Sequence, residues 1–191
     1  MRLIPTLAFA LFAAAPAFAQ APIHFPVKVD KPGFQAVIAD VGPAYVAGQP
    51  SEAALRAMKA EGVTTIINLR TQREMDNRKA VPYDEEALAK ELGMTYVHIP
   101  LGGPDTPYTP EAEAKMAAAM KAAGDTKVLL HCTIAWRASH MWAAYLVKEK
   151  GYSLDDATRA GQAINMDGYS DGKPAPVLGL LGRTPASSTA Q

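Results

Sequence analysis

The sequence predicts an α/β fold: a three-layer α/β/α sandwich around a central, mainly parallel sheet of about four to five strands. Two observations carry this. Short apolar runs alternate with stretches of helical period, and the run Thr64–Leu69 is almost wholly apolar apart from Asn68, as a strand covered on both faces requires. Several helical stretches are also punctuated by a capping residue before them and a glycine after.

Met1-Arg2, the apolar run Leu3–Ala15 and the small-x-small site Ala17-Phe18-Ala19 predict a secretory signal over 1–19, and hence a periplasmic or secreted protein. That apolar run is too short and too alanine-rich for a spanning helix, so no stable membrane insertion is expected once the signal is removed. Residues 20–35 are Pro-rich and aperiodic and predict an extended arm. A single domain over 36–182 and a small, polar, disordered tail over 183–191 complete the expected organisation.

Within the domain, Val37-Ile38-Ala39 and Tyr45-Val46-Ala47 are short strand candidates separated by Gly42-Pro43. Ser51 caps a helix through Glu61 that presents Leu55 and Met58 on one face and is closed by Gly62. Thr64–Leu69 is the next strand, Arg70–Pro82 a polar connection, and Asp84 caps a helix to Leu92 stopped by Gly93. Thr95–Pro100 is a core strand, and Leu101–Tyr108 a Gly/Pro loop before a helix opening at Thr109-Pro110. Met116, Ala119, Met120 and Ala123 give that helix an apolar stripe suited to the core. Val128–Cys132 is a fourth core strand, Ala138–Lys150 a helix with one buried face, and Ser153 opens a further helix to about Ile164.

Charge narrows the function classes. The chain has 19 basic and 19 acidic side chains, and loss of Arg2 with the signal leaves 18 against 19, a net charge of −1. Nothing here favours nucleic acid, and any affinity for anions must be local. The four histidines, His24 and His140 among them, show no metal-ligand spacing, and no carboxylate cluster points to a metal. No metal or organic cofactor is expected. The single cysteine, Cys132, has no partner for an internal disulfide in an oxidising compartment.

Cys132 ends a strand and Arg137 opens a helix, so residues 133 to 137 present free backbone N–H groups and the positive end of a helix dipole at one point. The same field favours a thiolate. Arg137 adds a planar fork of donors suited to two oxygens of a phosphate-like anion. Together they suit attack on phosphorus through a cysteinyl-phosphate intermediate.

These residues, with Gly48-Gln49-Pro50-Ser51-Glu52, the stretch Val63–Arg70 with Glu74, and Tyr96–Leu101, resemble the cysteine-dependent protein tyrosine and dual-specificity phosphatases. Within that superfamily they look like the small bacterial phosphatase family related to the beta-lactamase-hydrolase-like proteins. The resemblance spans roughly residues 36 to 166 and implies a cysteine-phosphatase-like fold acting on a phosphorylated protein or a small phosphomonoester. It implies Cys132 as nucleophile, Arg137 with Thr133, Ile134, Ala135 and Trp136 as the phosphate-binding loop, and Asp105 as general acid, with His131 and Ser139 in support. Arg70 and Glu74 correspond to a pair that supports the loop. Four residues separate Cys132 from Arg137, as in the smaller family, where the larger superfamily has five. Ala135 stands where the resemblance implies a glycine, and Ala138 where it implies a hydroxyl, with Ser139 one position later.

Some readings stay open on the residues alone. Trp136 suits either stacking on an aromatic phosphoester or covering the core, and His98 either the site or the core. Arg73 and Arg78 suit substrate contact or an ordinary surface. Two other functions fit parts of the pattern. A rhodanese-like sulfurtransferase also carries a cysteine on a strand-to-helix loop, but the helix opened by Ser153 argues against it. A catalytically impaired phosphate-loop binding domain is motivated by Ala135, Ala138 and the short loop.

Overall fold

The computed structural model describes residues 22–166 and 176–183. The expected leader, the first two residues of the arm and the tail beyond residue 183 lie outside them.

Six strands form one sheet in the order β1-β2-β3-β6-β4-β5, rather than the four to five expected. The strands are β1 (Val27–Lys28), β2 (Ile38–Asp40), β3 (Ala44–Ala47), β4 (Val63–Asn68), β5 (Thr95–His98) and β6 (Lys127–His131). Pairing is parallel from β3 through β6 and β4 to β5, and antiparallel among β1, β2 and β3. The extra strand comes from the arm. Val27 and Lys28 pair with Asp40 and Ala39, so a segment with no periodicity of its own takes its conformation from the edge it meets.

The helices α1 (Glu52–Ala60), α3 (Glu85–Glu91), α4 (Pro110–Ala123) and α6 (Leu154–Ile164) fall where capping and periodicity place them, and α5 (Trp136–Lys150) starts two residues before its expected first residue, Ala138. Ser51, Asp84, Thr109 and Ser153 each accept a backbone N–H at the helix start, a contribution of about 1 kcal/mol apiece. Two short helices escape the periodicity. α2 (Gln72–Met75) lies inside the expected polar connection, and α7 (Pro176–Leu180) packs against α4 and α5. Four or five residues are too few to display a repeat.

Two cores flank the sheet. Val128, Leu130 and Cys132 face one that includes Met116, Met141, Trp142 and Ile164. Leu129 faces the other, with Leu55, Met58 and Leu88. The period-2 alternation of β6 therefore sends His131 toward α1 and α3 while Cys132 lies on the opposite side. The loops after β4, β5 and β6 meet at the carboxyl edge, where ligand sites of parallel sheets lie.

Gly48 follows β3 at a close crossing. Its N–H donates to the Val37 carbonyl, and a Cβ there would sit 1.7 Å from the Gln35 carbonyl oxygen and 3.0 Å from that of Thr133. Backbone, not a flexible side chain, is what such a methyl would strike. Gly48→Ala is expected to destabilise the protein by about 3 kcal/mol or more. An unfolding free energy from urea titration within about 0.5 kcal/mol of wild type would contradict this packing.

Candidate active site

Cys132 follows directly on β6, and its N–H donates to the Ala47 carbonyl of the neighbouring strand. Thr133 and Ile134 run on beside the segment after β3, with an isolated bridge from Ile134 to Gly48; the Thr133 carbonyl accepts from Gln49 N–H and the Ile134 carbonyl accepts from Asn165 Nδ2 at the end of α6. Ala135 then occupies the left-handed region, with φ 68°, at the N-cap of α5. A glycine would adopt this conformation freely, whereas an L-residue pays roughly 1 kcal/mol or more. The helix starts at Trp136 rather than at Ala138, which places Trp136 and Arg137 in its first turn.

Ala135 has no side-chain capping bond, and its carbonyl is held instead by Ser139. Both the N–H (2.8 Å) and the buried hydroxyl (2.7 Å) of Ser139 donate to that oxygen. Ser139 thus supports the loop's backbone, one turn along the helix.

Arg137 has its guanidinium fork turned onto Glu74. Nη2 donates to Glu74 Oε1 (2.6 Å) and Thr133 Oγ1 (2.9 Å), and Nη1 donates to Glu74 Oε2 (2.7 Å) and the Leu101 carbonyl (2.8 Å). The Leu69 carbonyl is 3.3 Å from Nη1. Thr133 Oγ1 also donates to Glu74 Oε1 (2.8 Å). Partial burial alone would raise the Glu74 pKa, but Arg137 and the Thr71 N–H outweigh it and hold the carboxyl at about 2. Arg70 lies 3.7 Å from the same carboxylate, in keeping with a supporting pair, although Arg137 is the closer partner.

A cavity of about 850 Å³ opens beside this loop. Cys132, Thr133, Ile134, Trp136 and Arg137 line one side. Gly102, Gly103, Pro104, Asp105 and Tyr108 line another, and Thr71, Arg73, Glu74 and Asn77 a third. Asp105 is exposed at the tip of a tight turn closed by Gly103 and Thr106, whose side-chain oxygen accepts the Gly103 N–H. The structure therefore brings Cys132, Arg137 and Asp105 to one cavity. Ile134 is 47% exposed, an apolar side chain standing free at the mouth. Trp136 lines the cavity and packs edge-on against His140, their centroids 4.5 Å apart, so it serves the wall and the interior together. Burial pushes His140 down to about 4, which leaves it neutral near pH 7. His98 Nε2 meets the Arg70 carbonyl at 2.7 Å, and Arg78 bonds the Tyr83 carbonyl away from the cavity.

Behind the loop lies a buried polar network only partly foreseen. Glu85 Oε1 accepts from Asn68 Nδ2 (3.0 Å) and pairs with His131 Nε2 (2.8 Å), while Oε2 accepts from Gln49 Nε2 (2.6 Å). Arg70 Nη1 donates to Gln49 Oε1 (2.7 Å). The sequence carries two usable signals here. Glu85 lies in phase with Leu88, Ala89 and Leu92, an acid on an apolar stripe. Thr71-Gln72-Arg73-Glu74 spells the capping box that fixes Glu74 toward the loop.

Among the described residues no group of three or more His, Cys, Asp or Glu side chains could hold a metal ion, and no helix is long and apolar enough to cross a membrane.

Residues 41–147 match the family described as beta-lactamase hydrolase-like protein, phosphatase-like domain. The chain belongs to this family. Among solved structures, a candidate phosphatase of Shewanella putrefaciens CN-32 is similar at 26% identity, covering 72% of this chain and 86% of that one, with a TM-score of 0.57. PTPMT1 (21% identity, 73% and 87% covered, TM-score 0.59) and P. aeruginosa TpbA (15% identity, 84% and 91% covered, TM-score 0.59) share the fold. No curated protein matches the sequence.

The Glu74 carboxyl gives a prediction whose sign is fixed. Its folded pKa lies below the ordinary 4.5, so its contribution is present above pH 4.5 and is lost as pH falls through about 2. Glu74→Gln is expected to cost on the order of 2 kcal/mol at pH 7, allowing for solvent screening. Denaturant unfolding at pH 7 and pH 3 checks this, and the deficit should shrink at the lower pH.

Proposed function

We propose that the chain is an exported cysteine-dependent phosphatase that hydrolyses phosphomonoesters through a cysteinyl-phosphate intermediate. The observation that carries this is the convergence of Cys132, Arg137 and Asp105 on one cavity at the carboxyl edge of the sheet. Family membership supports it.

In this reading the Cys132 thiolate attacks phosphorus, and Arg137 with the loop N–H groups of Thr133 to Trp136 receives the equatorial oxygens. Both terminal nitrogens of Arg137 are engaged by Glu74, Thr133 and backbone carbonyls. A bound phosphate draws on the remaining Nε–H and on the Nη2 hydrogen that Thr133 yields. Asp105 protonates the departing oxygen and then activates water for hydrolysis of the intermediate. No metal is needed for these steps.

Phosphorylated proteins and small phosphomonoesters are the proposed substrates. P. aeruginosa TpbA is known in complex with phosphotyrosine, and Ile134, Trp136 and Tyr108 give this cavity apolar walls that suit an aryl group. The signal expected from the sequence over 1–19 supports a periplasmic or secreted site of action. The α6 helix after α5 favours this reading over a sulfurtransferase.

The test is hydrolysis of an aryl phosphate by the reduced protein beside Cys132→Ser, with thiosulfate-to-cyanide sulfur transfer measured on the same samples. Phosphate release is expected from wild type and not from Cys132→Ser. Sulfur transfer without phosphate release would reassign the protein, and neither activity would favour a binding domain. Asp105→Asn is expected to lower kcat by about 100-fold or more for a poor leaving group, and far less for a good one. Equal losses on both would remove Asp105 from the general-acid role.

A further inference from the structure

Arg73 and Arg78, alike in the sequence, part company in the structure. Arg78 bonds the Tyr83 carbonyl and lies 3.8 Å from the Asp84 carboxylate, away from the cavity. Arg73 is exposed, lines the cavity, and has no hydrogen bond or ion pair among the described residues. The short helix α2 sorts its side chains by spacing. Gln72 Nε2 donates to Asp76 Oδ1 at 2.8 Å and neither residue lines the cavity, whereas Arg73 and Asn77, also four apart, both do. Glu74 is spent on Arg137 and Thr133, and Asp76 on Gln72, so no acid of this segment holds Arg73. The Lys79 N–H donates to Asn77 Oδ1 at 3.2 Å, which leaves the hydrogens of Asn77 Nδ2 unspent among the described residues.

An anion entering this cavity needs such a group. Arg137, the other cation on the wall, already gives hydrogens from both terminal nitrogens to Glu74, Thr133 and Leu101, and Glu74 offsets its charge. The whole chain has no excess of positive charge, so attraction must come from individual side chains.

Position separates Arg73 from the reacting phosphate. Thr71, the N-cap of α2, abuts the turn that carries Asp105: a Cβ on Gly103 would lie 3.5 Å from Thr71 Cγ2. Asp105 is the acid that meets the departing oxygen in the reading above, so the α2 wall borders the leaving group. The cavity, about 850 Å³, has space there once a phosphoryl group sits on the loop. Asp105 itself makes no ion pair with Arg73.

From this we infer that Arg73, with Asn77, forms a second anion subsite: the protein selects aryl phosphates whose leaving group carries a further carboxylate or phosphate, as a phosphotyrosyl segment with acidic neighbours does. The guanidinium fork takes two oxygens of that group, and Asn77 Nδ2 supplies another donor. Turnover of such substrates rests on the phosphatase reading; their binding does not. An exposed ion pair in open water contributes little, but other walls of this cavity carry Tyr108, Ile134 and Trp136, which displace water from a bound aryl group and reduce screening.

The experiment measures kcat/KM for wild type, Arg73→Gln and Arg73→Lys on two matched pairs. One is a pair of phosphotyrosyl peptides that differ only in Glu against Gln beside the phosphotyrosine, so the leaving oxygen is the same. The other is para-carboxyphenyl phosphate beside its carboxamide. Wild type is expected to prefer the acidic member of at least one pair by about fivefold, Arg73→Gln to lose that preference, and Arg73→Lys to keep part of it. A preference within the peptide pair points to a protein substrate, and one confined to the small pair to a small phosphomonoester. Equal kcat/KM within both pairs for wild type would overturn the proposal, and so would a preference that Arg73→Gln retains. The Kd of the two peptides for Cys132→Ser, with and without Arg73→Gln, provides a readout that needs no turnover. If wild type hydrolyses neither pair while Cys132→Ser binds the Glu peptide about fivefold tighter and Arg73→Gln removes that difference, the phosphatase reading fails and the subsite stands. Hydrolysis with no preference in rate or in Kd removes the subsite and leaves the phosphatase reading in place.

Discussion

Arg137 is where the loops at the carboxyl ends of β4, β5 and β6 are tied together. One guanidinium reaches Leu69 after β4, Leu101 after β5 and Thr133 after β6, and Glu74 on α2 closes the fork. Loops alone have little to hold them, since each exposes its backbone to water and costs entropy to order. A charge-assisted, two-pronged contact only partly open to solvent is strong enough to order them, and both its members are kept ionised by each other. The same contact restrains the arginine from facing the cavity fully, so binding an anion and holding the loops draw on one set of hydrogens.

The opposite face of the sheet is organised by Glu85 in a parallel way. Gln49 after β3, Asn68 at the end of β4 and His131 at the end of β6 all converge on that carboxylate. The strand ends that carry the Cys132 loop are thus fixed from below while Arg137 fixes the loops from above. A buried carboxylate survives because every lone pair in use meets a donor; stripped of them it would be among the costliest groups in the interior.

Between these anchors the loop carries its own strain. Ala135 at φ 68° is an unfavourable residue for its conformation, and the Gly48 crossing leaves no room for a side chain. Bonds from Ser139 and Asn165 to the carbonyls of Ala135 and Ile134 hold the turn against that cost.

Much of this was readable in the sequence, because caps, glycine stops and apolar periods act over a few residues. Ser51, Asp84, Thr109 and Ser153 set helix starts, Gly62 and Gly93 set stops, and His131-Cys132 with Arg137 marked the loop. The arm's pairing as β1 and the helices α2 and α7 were not, since a two-residue strand or a single turn has no period to display. The partners of the charged groups were decided only by the fold. Glu74 lies 63 residues from Arg137 and Glu85 46 from His131, and they meet because the parallel register of β4 with β6 sets Asn68 beside His131 and brings those ends together. Local chemistry determined which residues could do the work; tertiary register decided which of them touch.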